Sequence, residues 1–318
     1  MAGFQRFSLG LLALSLIVPA LSAQAVVSAR SGLIHYAEGE VYAGDKQVEI
    51  KFAEFPQLKE GEVLRTGEGR AEVLLTPGVF LRLAENSSVK MVTNRLVDTR
   101  LEVLSGSVLL EVAESQKENA VTLVHKNAVL EFPKKGLFRL DADSGAFKVY
   151  DGKATVLAQD DKLTVKEGRQ TQLAGVLSPE KFDKKTGDAF YRWAGRRSNN
   201  LALSNLQAAR SMMNSGSYWR TSGWHFSPYF GAFTFIPGHG VYSSPFGGMY
   251  YCPSTVYRAF APRRVYVPND SWGGGGIGRS SGSASSGGIG GSVGRSSGGA
   301  SPAPSSDSGR SSSGGRSR

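Results

Sequence analysis

The sequence contains two serine motifs of the kind that hydrolases use. Residues 278–282 and 294–298 both read G-R-S-S-G and so match the G-x-S-x-G pattern of a nucleophile elbow. An elbow presents its serine on a tight turn between a strand and a helix. Both copies lie in a Gly/Ser-rich stretch that has no strand or helix pattern on either side. Neither copy therefore predicts a catalytic serine.

Residues that could bind a metal ion are few and widely spaced. His225, His239 and Cys252 are the nearest group, but long gaps separate them and no compact pair exists. His35 and His125 lie in predicted strands or turns. The acidic residues fall on predicted solvent faces, without the paired carboxylates of a glycosidase. The sequence predicts no catalytic residue, no metal site and no cofactor, and it indicates a protein that is not an enzyme.

Short β-strands dominate the chain between Leu33 and Val176. From Glu60 to Val112, polar and apolar residues alternate in short runs, so one set of side chains faces a core and the other faces water. We expect Val73 and Leu81 to face that core. The pattern predicts a mostly β domain, either a β-sandwich or a short β-solenoid. The loose repeat of the turns favours the solenoid, and the absence of a strict period leaves the sandwich open. The glycines that mark these turns are Gly61, Gly69, Gly78, Gly106, Gly136, Gly145, Gly152 and Gly168.

A series of weak motifs in this region resembles one known family. Residues 61–67 (G-E-V-L-R-T-G) resemble the G-D-x-x-x-T-G segment of FecR-type domains, with Glu62 in place of the usual Asp. Residues 104–108 resemble the L-x-G-x-V strand of that family, and residues 136–140 resemble its G-T-x-F-x-V element. Two later Gly-turn motifs, at residues 149–154 and 165–170, follow in the family's order. Together they identify residues 33–173 as a FecR-like domain.

The resemblance implies a function in protein binding. FecR-type regulators bind protein partners in the bacterial envelope, and they begin with a cytoplasmic anti-sigma segment and a membrane helix. Neither precedes the β domain in this sequence. The resemblance therefore implies a free-standing β domain, and we expect Leu33–Leu173 to fold alone.

The N-terminus predicts export from the cytoplasm. Arg6, an apolar run from Leu9 to Val18 and the A-Q-A site ending at Ala25 form a signal peptide over residues 1–25. The mature protein is then extracytoplasmic, in the periplasm, at the cell surface or secreted, with no transmembrane span. The chain of 318 residues carries a net charge of +10, which favours acidic partners, and export argues against nucleic acid. Cys252 is the single cysteine, so no intrachain disulfide can form.

Three different segments follow the β domain. Residues 178–213 have the pattern of a basic amphipathic helix, with Ser178 and Pro179 at its start. Such a helix could bind a partner, or it could pack Phe190 and Trp193 on the β domain. Residues 217–272 are rich in aromatic residues, Gly and Pro, and could form a partner-binding surface or a strap that buries its rings on the β domain. Residues 273–318 form a Gly/Ser/Arg tail that is expected to be disordered.

Two functions remain for this chain. The first is a non-catalytic exported module that binds an envelope protein, in signalling or in surface assembly. The second is a structural or adhesive cell-surface protein that binds cell-wall polysaccharide through its aromatic segment. The residues predicted to contact the partner are Trp193, Arg196, Arg197, Trp219, Trp224, Tyr229, Phe230, Phe233, Tyr250 and Tyr251.

Overall fold

The computed structural model describes residues 30–114, 120–158, 161–215 and 221–260. The predicted signal peptide and the predicted disordered tail lie outside these residues. The strands are β1 (Leu33–Ala43), β2 (Lys46–Gln47), β3 (Val63–Leu74), β4 (Val79–Leu83), β5 (Ser88–Arg95), β6 (Asp98–Ser105), β7 (Ser107–Val112), β8 (Ala120–His125), β9 (Ala128–Glu131), β10 (Gly136–Asp141), β11 (Ala146–Asp151), β12 (Lys153–Ala158), β13 (Asp161–Lys166), β14 (Arg169–Gln172), β15 (Glu180–Lys181), β16 (Gly223–Ser227), β17 (Ala232–Ile236), β18 (Val241–Ser243) and β19 (Met249–Tyr251). The helices are α1 (Ala189–Asn214) and α2 (Pro253–Phe260).

Strands β1 to β15 form one sheet. Its main path runs β13-β12-β9-β8-β6-β5-β3-β4-β7-β10-β11-β14-β15, with β1 paired to β2 and β3. The sheet is curled, because β13 near one end of the path contacts β11 and β14 near the other end. Among the described strands, β6 and β8 form the only parallel pair. A solenoid would stack strands in parallel from turn to turn, so the structure favours the sandwich-like alternative and confirms the mostly β class.

A single hydrophobic core fills the inside of the curled sheet. Val73 and Leu81 are fully buried in it, as the alternation of the sequence predicted. Strand β4 shows that burial extends further, since all five of its residues are buried. Val79, Leu81 and Leu83 face the core, so Phe80 and Arg82 must be buried on the opposite, outer face. This part of the sheet therefore needs a second layer over its outer face.

Helix α1 and the aromatic segment supply that layer. Phe80 packs edge-on against Trp224 with ring centroids 5.1 Å apart, and it stacks near Tyr250 at 6.1 Å. Leu74 joins the same buried cluster with Leu201 of α1 and Phe235 of β17. A neighbouring cluster packs α1 on strands β7, β10 and β11, through Leu109, Leu137, Tyr150, Phe190 and Trp193. The helix thus packs on the β domain, and Trp224, Phe235 and Tyr250 of the aromatic segment are buried in the same layer.

Helix α1 begins ten residues later than the sequence indicates. The predicted start was Pro179, but Glu180 and Lys181 form β15 on the sheet edge. The helix begins at Ala189, with Asp188 as its N-cap, whose Oδ1 accepts a hydrogen bond from the Tyr191 N–H at 2.8 Å. Gly195 does not end the helix. Its missing Cβ leaves room for the Phe246 ring, which lies against the helix there. In the described part of the chain, no helix is both long and apolar enough to cross a membrane.

Two of the predicted turn glycines show why the chain needs glycine there. Gly106 has a φ of +72° in the turn between β6 and β7, as expected of a turn glycine. Gly69 instead lies inside β3 and not in a turn. A Cβ on Gly69 would collide with the backbone of Glu38 and Glu40 in β1, where the pairing of β1 and β3 is irregular. At Gly69 the sequence signal for a turn therefore marks a close approach of two strands.

Candidate functional site

A buried ion-pair cluster connects the second layer, formed by α1 and the aromatic segment, to the outer face of the sheet. Arg82 of β4 lies at its centre and is fully buried. Its Nε donates to Glu72 Oε2 of β3 at 2.8 Å, and its Nη1 donates to Glu111 Oε2 of β7 at 2.6 Å. Both carboxylates are also fully buried. Three neighbouring strands thus place three charged side chains on a face that the strand alternation would assign to solvent.

The layer above the sheet contacts both carboxylates. Arg197 of α1 donates from Nη2 to Glu72 Oε1 at 2.9 Å, and its guanidinium lies 3.9 Å over the Tyr36 ring. Ser198 of α1 donates to Glu111 Oε1 at 2.9 Å, and Ser244 of the aromatic segment donates to the same oxygen. Two guanidinium groups therefore balance two carboxylates, and the hydrogen bonds join the sheet, the helix and the aromatic segment.

His35 joins the cluster to the start of β17. Its Nε2 accepts a hydrogen bond from the backbone N–H of Phe233 at 2.9 Å. Because a nitrogen that accepts cannot also carry a proton, the proton of the neutral ring lies on Nδ1. Nδ1 then donates to Glu72 Oε1 at 3.1 Å. This arrangement requires the neutral ring, and burial lowers the pKa of His35 below its ordinary value of 6.5, although Glu72 opposes the shift.

The charges of the cluster are held firmly. Burial alone would raise the pKa of Glu72, but Arg197 and Arg82 hold it well below its usual range. Burial would lower the pKa of Arg82, but Glu111 and Glu72 raise it above the ordinary value for arginine. Burial, followed by the charge of Glu111, raises the pKa of Tyr250 well above its usual range. At neutral pH the cluster therefore contains fixed ion pairs together with a neutral histidine and a neutral tyrosine.

The cluster has the residue types of a catalytic site but not the arrangement of one. Both nitrogens of His35 are engaged, one by Glu72 and one by Phe233, so the ring has no free nitrogen to act as a base. The hydroxyl of Ser198 is buried and donates to a carboxylate. Removing one partner of such a cluster leaves a buried charge unpaired, which typically costs about 3–5 kcal/mol. The cluster therefore holds the second layer on the sheet, and we call Glu72, Arg82, Glu111 and Arg197 the clamp.

Sequence reasoning missed this cluster. The acidic residues were expected on solvent faces, which is wrong for Glu72 and Glu111 because α1 and the aromatic segment cover that face. One signal could have found the cluster. Residues 79–83 (V-F-L-R-L) contain a single polar residue, Arg82, in a strand that is otherwise apolar on both sides. A strand of this kind is buried on both faces, so a charge within it must be paired.

An aromatic patch lies on the surface beside this clamp. We define the aromatic patch as Phe52, Phe55, Phe226, Tyr229, Phe230 and Phe233. Phe52 of the loop after β2 is 70% exposed, and Tyr229 and Phe230 at the turn between β16 and β17 are 79% and 43% exposed. Phe226 bridges the two sides, with ring centroids 5.8 Å from Phe52 and 5.4 Å from Phe233. The β domain and the aromatic segment therefore contribute to one apolar surface.

The inner edge of the aromatic patch reaches the clamp. The Phe55 ring lies 5.2 Å from Phe233 and 5.4 Å from His35. An open groove of about 690 Å³ borders the patch at Phe55, and Val48, Lys51, Pro56 and Glu62 also line it. Exposed rings, an adjacent groove and a buried anchor are thus contiguous.

The structure separates the ten residues predicted to contact a partner. Trp193, Trp224 and Tyr250 are buried against the sheet, so they stabilise the fold and offer no surface. Arg197 pairs with Glu72, and Tyr251 packs beside the buried Ile236. Arg196 is exposed on α1, and Trp219 lies outside the described residues. Tyr229, Phe230 and Phe233 lie together in the aromatic patch. Contact with a partner stays a prediction for the exposed residues.

The sequence did not mark Phe52, Phe55 or Phe226, because no local pattern shows that distant rings meet.

The comparison with protein families agrees with the resemblance seen in the sequence. The model of the family described as FecR protein matches residues 62–169, which extend from the start of β3 to the first residue of β14. No curated protein matches the chain.

Two crystal structures of candidate anti-sigma factors from Parabacteroides distasonis ATCC 8503 are similar to the chain, at 14% and 12% identity. Each aligns with a TM-score of 0.34, over 39% and 49% of this chain. The matched regions span 61% and 74% of those proteins. The family match therefore identifies residues 62–169 of this chain as a FecR-like domain.

Proposed function

We propose that this chain is a non-catalytic exported module that docks a protein of the bacterial envelope through its aromatic patch. The observation that carries the proposal is the exposure of three rings in one region: Phe52 lies against Gly231 of the β16–β17 turn, and Tyr229 and Phe230 project from that turn. Exposed groups of large apolar side chains mark interaction sites on soluble proteins, and aromatic residues dominate the binding energy of protein interfaces. The rigid clamp beneath the patch would hold these rings in place before binding, which lowers the entropy cost of association.

The geometry of the rings favours a protein partner over a polysaccharide. A sugar ring stacks on the flat face of an exposed aromatic ring, and a chain of sugars needs several such faces in one plane. Here the rings meet edge to face, with planes 77° apart for Phe52 and Phe226 and 76° apart for Tyr229 and Phe230. Such a surface has ridges and pockets, as protein interfaces do, and it does not form a stacking platform.

Two further features support a function in the envelope. The first 25 residues have the pattern of a signal peptide, and the matched family is that of the FecR proteins. FecR-type regulators bind protein partners, which supports a signalling-related function for the domain here. Helix α1 covers the outer face of the sheet, so the partner would meet the rim of the fold, where the loop after β2 and the β16–β17 turn project.

Site-specific photo-crosslinking in the native host tests this proposal. A photoreactive phenylalanine analogue would replace Phe52 or Tyr229, and a matched control would carry it at Val97. Val97 is 61% exposed in the turn between β5 and β6 and is not part of the aromatic patch. We expect one discrete crosslinked envelope protein from positions 52 and 229, and none from position 97. Mass spectrometry would identify that protein.

The identified partner then allows a quantitative test. The double variant Phe52→Ala, Tyr229→Ala should weaken binding of the purified partner by at least about thirtyfold, as expected for two hot-spot residues. The control Val97→Ala should leave the affinity within about twofold. Equal crosslinking from all three positions would refute the patch as the docking site. Binding to purified cell-wall polysaccharide that free sugar abolishes, without a protein crosslink, would favour the adhesive function.

A further inference from the structure

The buried link between His35 and Phe233 joins the two halves of the aromatic patch. Phe55 belongs to the loop after β2, whereas Phe226 and Phe233 belong to the β16–β17 hairpin. His35 of β1 lies between these halves, because its ring lies beside Phe55 and its Nε2 accepts the Phe233 N–H. The Phe233 ring also contacts the His35 ring edge-on, at 6.4 Å. The Phe233 end of β17 therefore depends on the chemical state of one imidazole, whereas Thr234 and Phe235 are held by α1.

We propose that His35 is a proton-operated latch that holds the β16–β17 hairpin on the sheet at neutral pH and releases it under acidic conditions. Protonation places a proton on Nε2, which then points at the Phe233 N–H instead of accepting from it. Two donors would face each other at 2.9 Å in a buried site. The ring cannot turn over to avoid this, because Nδ1 is held by Glu72.

The charged groups around His35 determine how the cluster responds when the ring gains a proton. Glu72 of β3 would attract a protonated ring, whereas Arg82 of β4 and Arg197 of α1 would repel it. The groups that pack on His35 from the loop after β2 and from β17 are the Phe55 and Phe233 rings, which offer no hydrogen-bond acceptor to a proton on Nε2. Glu72 is already shared with both arginines, so the cluster changes from balanced to net positive when His35 gains a proton.

The direction of the pH dependence follows from these states. In the open hairpin water reaches His35 and its pKa moves back towards the ordinary value of 6.5, whereas burial lowers the pKa of His35 in the closed form. The open form therefore binds more protons below about pH 6.5, and acid favours opening. Above about pH 6.5 the latch is fully closed, and its contribution is lost as the pH falls from there towards the lowered pKa.

Release would take the docking surface apart. Phe226 and Phe233 would move away from Phe52 and Phe55, so the rings would no longer form one patch. This consequence rests on the proposed function, because it regulates docking only if the patch docks a partner. The latch itself can be tested on the isolated protein with no partner present, so failure of either proposal can be recognised separately.

Hydrogen–deuterium exchange of peptides from the β16–β17 hairpin tests the latch. After correction for intrinsic exchange, we expect opening of wild-type Gly223–Ile236 to rise by up to about tenfold between about pH 7.5 and about pH 5.5. The variant His35→Gln keeps a donor towards Glu72 and an acceptor for Phe233 N–H but cannot titrate. In that variant the extra opening at acidic pH should disappear.

His225→Gln is the matched control. His225 lies in the same hairpin, and burial lowers its pKa as well, so it would give a similar pH profile if it were the responding group. The proposal requires that His225→Gln keeps the acid response. It is overturned if His35→Gln responds like the wild type, or if only His225→Gln loses the response.

Nuclear magnetic resonance of the wild-type protein gives a second readout that needs no variant at position 35. The proposal predicts that the neutral His35 ring carries its proton on Nδ1 and that the His35 pKa lies below 6.5. A neutral ring with its proton on Nε2, or a His35 pKa of 6.5 or higher, would overturn the proposal.

Discussion

The two halves of the curled sheet share one core but differ in what lies on their outer faces. On the half formed by β3, β4, β7, β10 and β11, the outer face is buried under α1 and the aromatic segment. On the half formed by β5, β6, β8, β9, β12 and β13, no element in the described part of the chain lies over the outer face. A row across that open face reads Glu102, Val124, Val129, Leu157 and Lys162, and all five are partly or fully exposed.

The same alternation of polar and apolar residues therefore has opposite consequences in the two halves. On the open half, outward positions hold polar residues such as Glu102, Thr122 and Lys162 together with Val124, Val129 and Leu157, and all of them are at least partly exposed to water. On the covered half, the outward charged residues Glu72, Arg82 and Glu111 are fully buried and must satisfy one another. The covered half consequently depends on residues that are distant in sequence, whereas the open half depends on its own strands.

The largest expected effect comes from removing the second layer. A chain ended after Gly175 loses α1 and the aromatic segment, so Leu74, Phe80 and Leu109 would meet water beside the charges of the clamp. Contrary to the expectation from sequence that Leu33–Leu173 folds alone, we predict that this chain aggregates or lacks a cooperative thermal transition. A chain ended after Phe260 is the control and should keep the Tm of the full chain. Cooperative unfolding of the shorter chain near the control Tm would show that the second layer is dispensable.

The same substitution on the two halves gives the next largest contrast. Leu81 is fully buried in the core, and Leu157 is partly exposed on the open face. Leu81→Asp should lower the free energy of unfolding by about 4 kcal/mol or more, because a charge without a partner enters the core. Leu157→Asp should cost about 1 kcal/mol or less, because its carboxylate can stay in water. Denaturant titration of both variants measures the difference, and similar costs would refute the assignment of the two faces.

How much of the fold the sequence predicts depends on whether a feature involves neighbouring residues or residues that are distant in the sequence. The alternation in residues 60–112 predicts the strands and places Val73 and Leu81 in the core, and Ala232–Ile236 also reads as a strand from its own residues. These features are local. The clamp is not local, since Glu72 and Arg197 lie 125 residues apart and only the folded chain shows that a helix covers the strand. Phe52 and Phe226 likewise meet across segments that no sequence period relates.

Removing an arginine from the clamp should lower the free energy of unfolding by less than a charge placed in the core does. It should lower that free energy far more than removing an arginine from the open half does. Arg82→Leu leaves Glu72 and Glu111 buried with fewer partners, and we expect a loss of about 3–5 kcal/mol in the free energy of unfolding. Arg100 of β6 is exposed on the open half, so Arg100→Leu should change that free energy by about 0.5 kcal/mol or less. Urea unfolding is the measurement, and a small loss in Arg82→Leu would show that the charges find water.

The smallest predicted effect tests whether the open face is truly open. Val129→Thr exchanges a methyl group for a hydroxyl on the outer face, where water can bind it, and should change the free energy of unfolding by about 0.5 kcal/mol or less. Val73→Thr makes the same exchange inside the core, where the hydroxyl lacks water, and should cost about 1–3 kcal/mol. Thermal and urea unfolding should be measured at two protein concentrations. If Val129→Thr costs as much as Val73→Thr, and more at the higher concentration, a second copy covers this face. If the loss of unfolding free energy in Val129→Thr is small and does not depend on protein concentration, the difference between the two halves arises within a single chain.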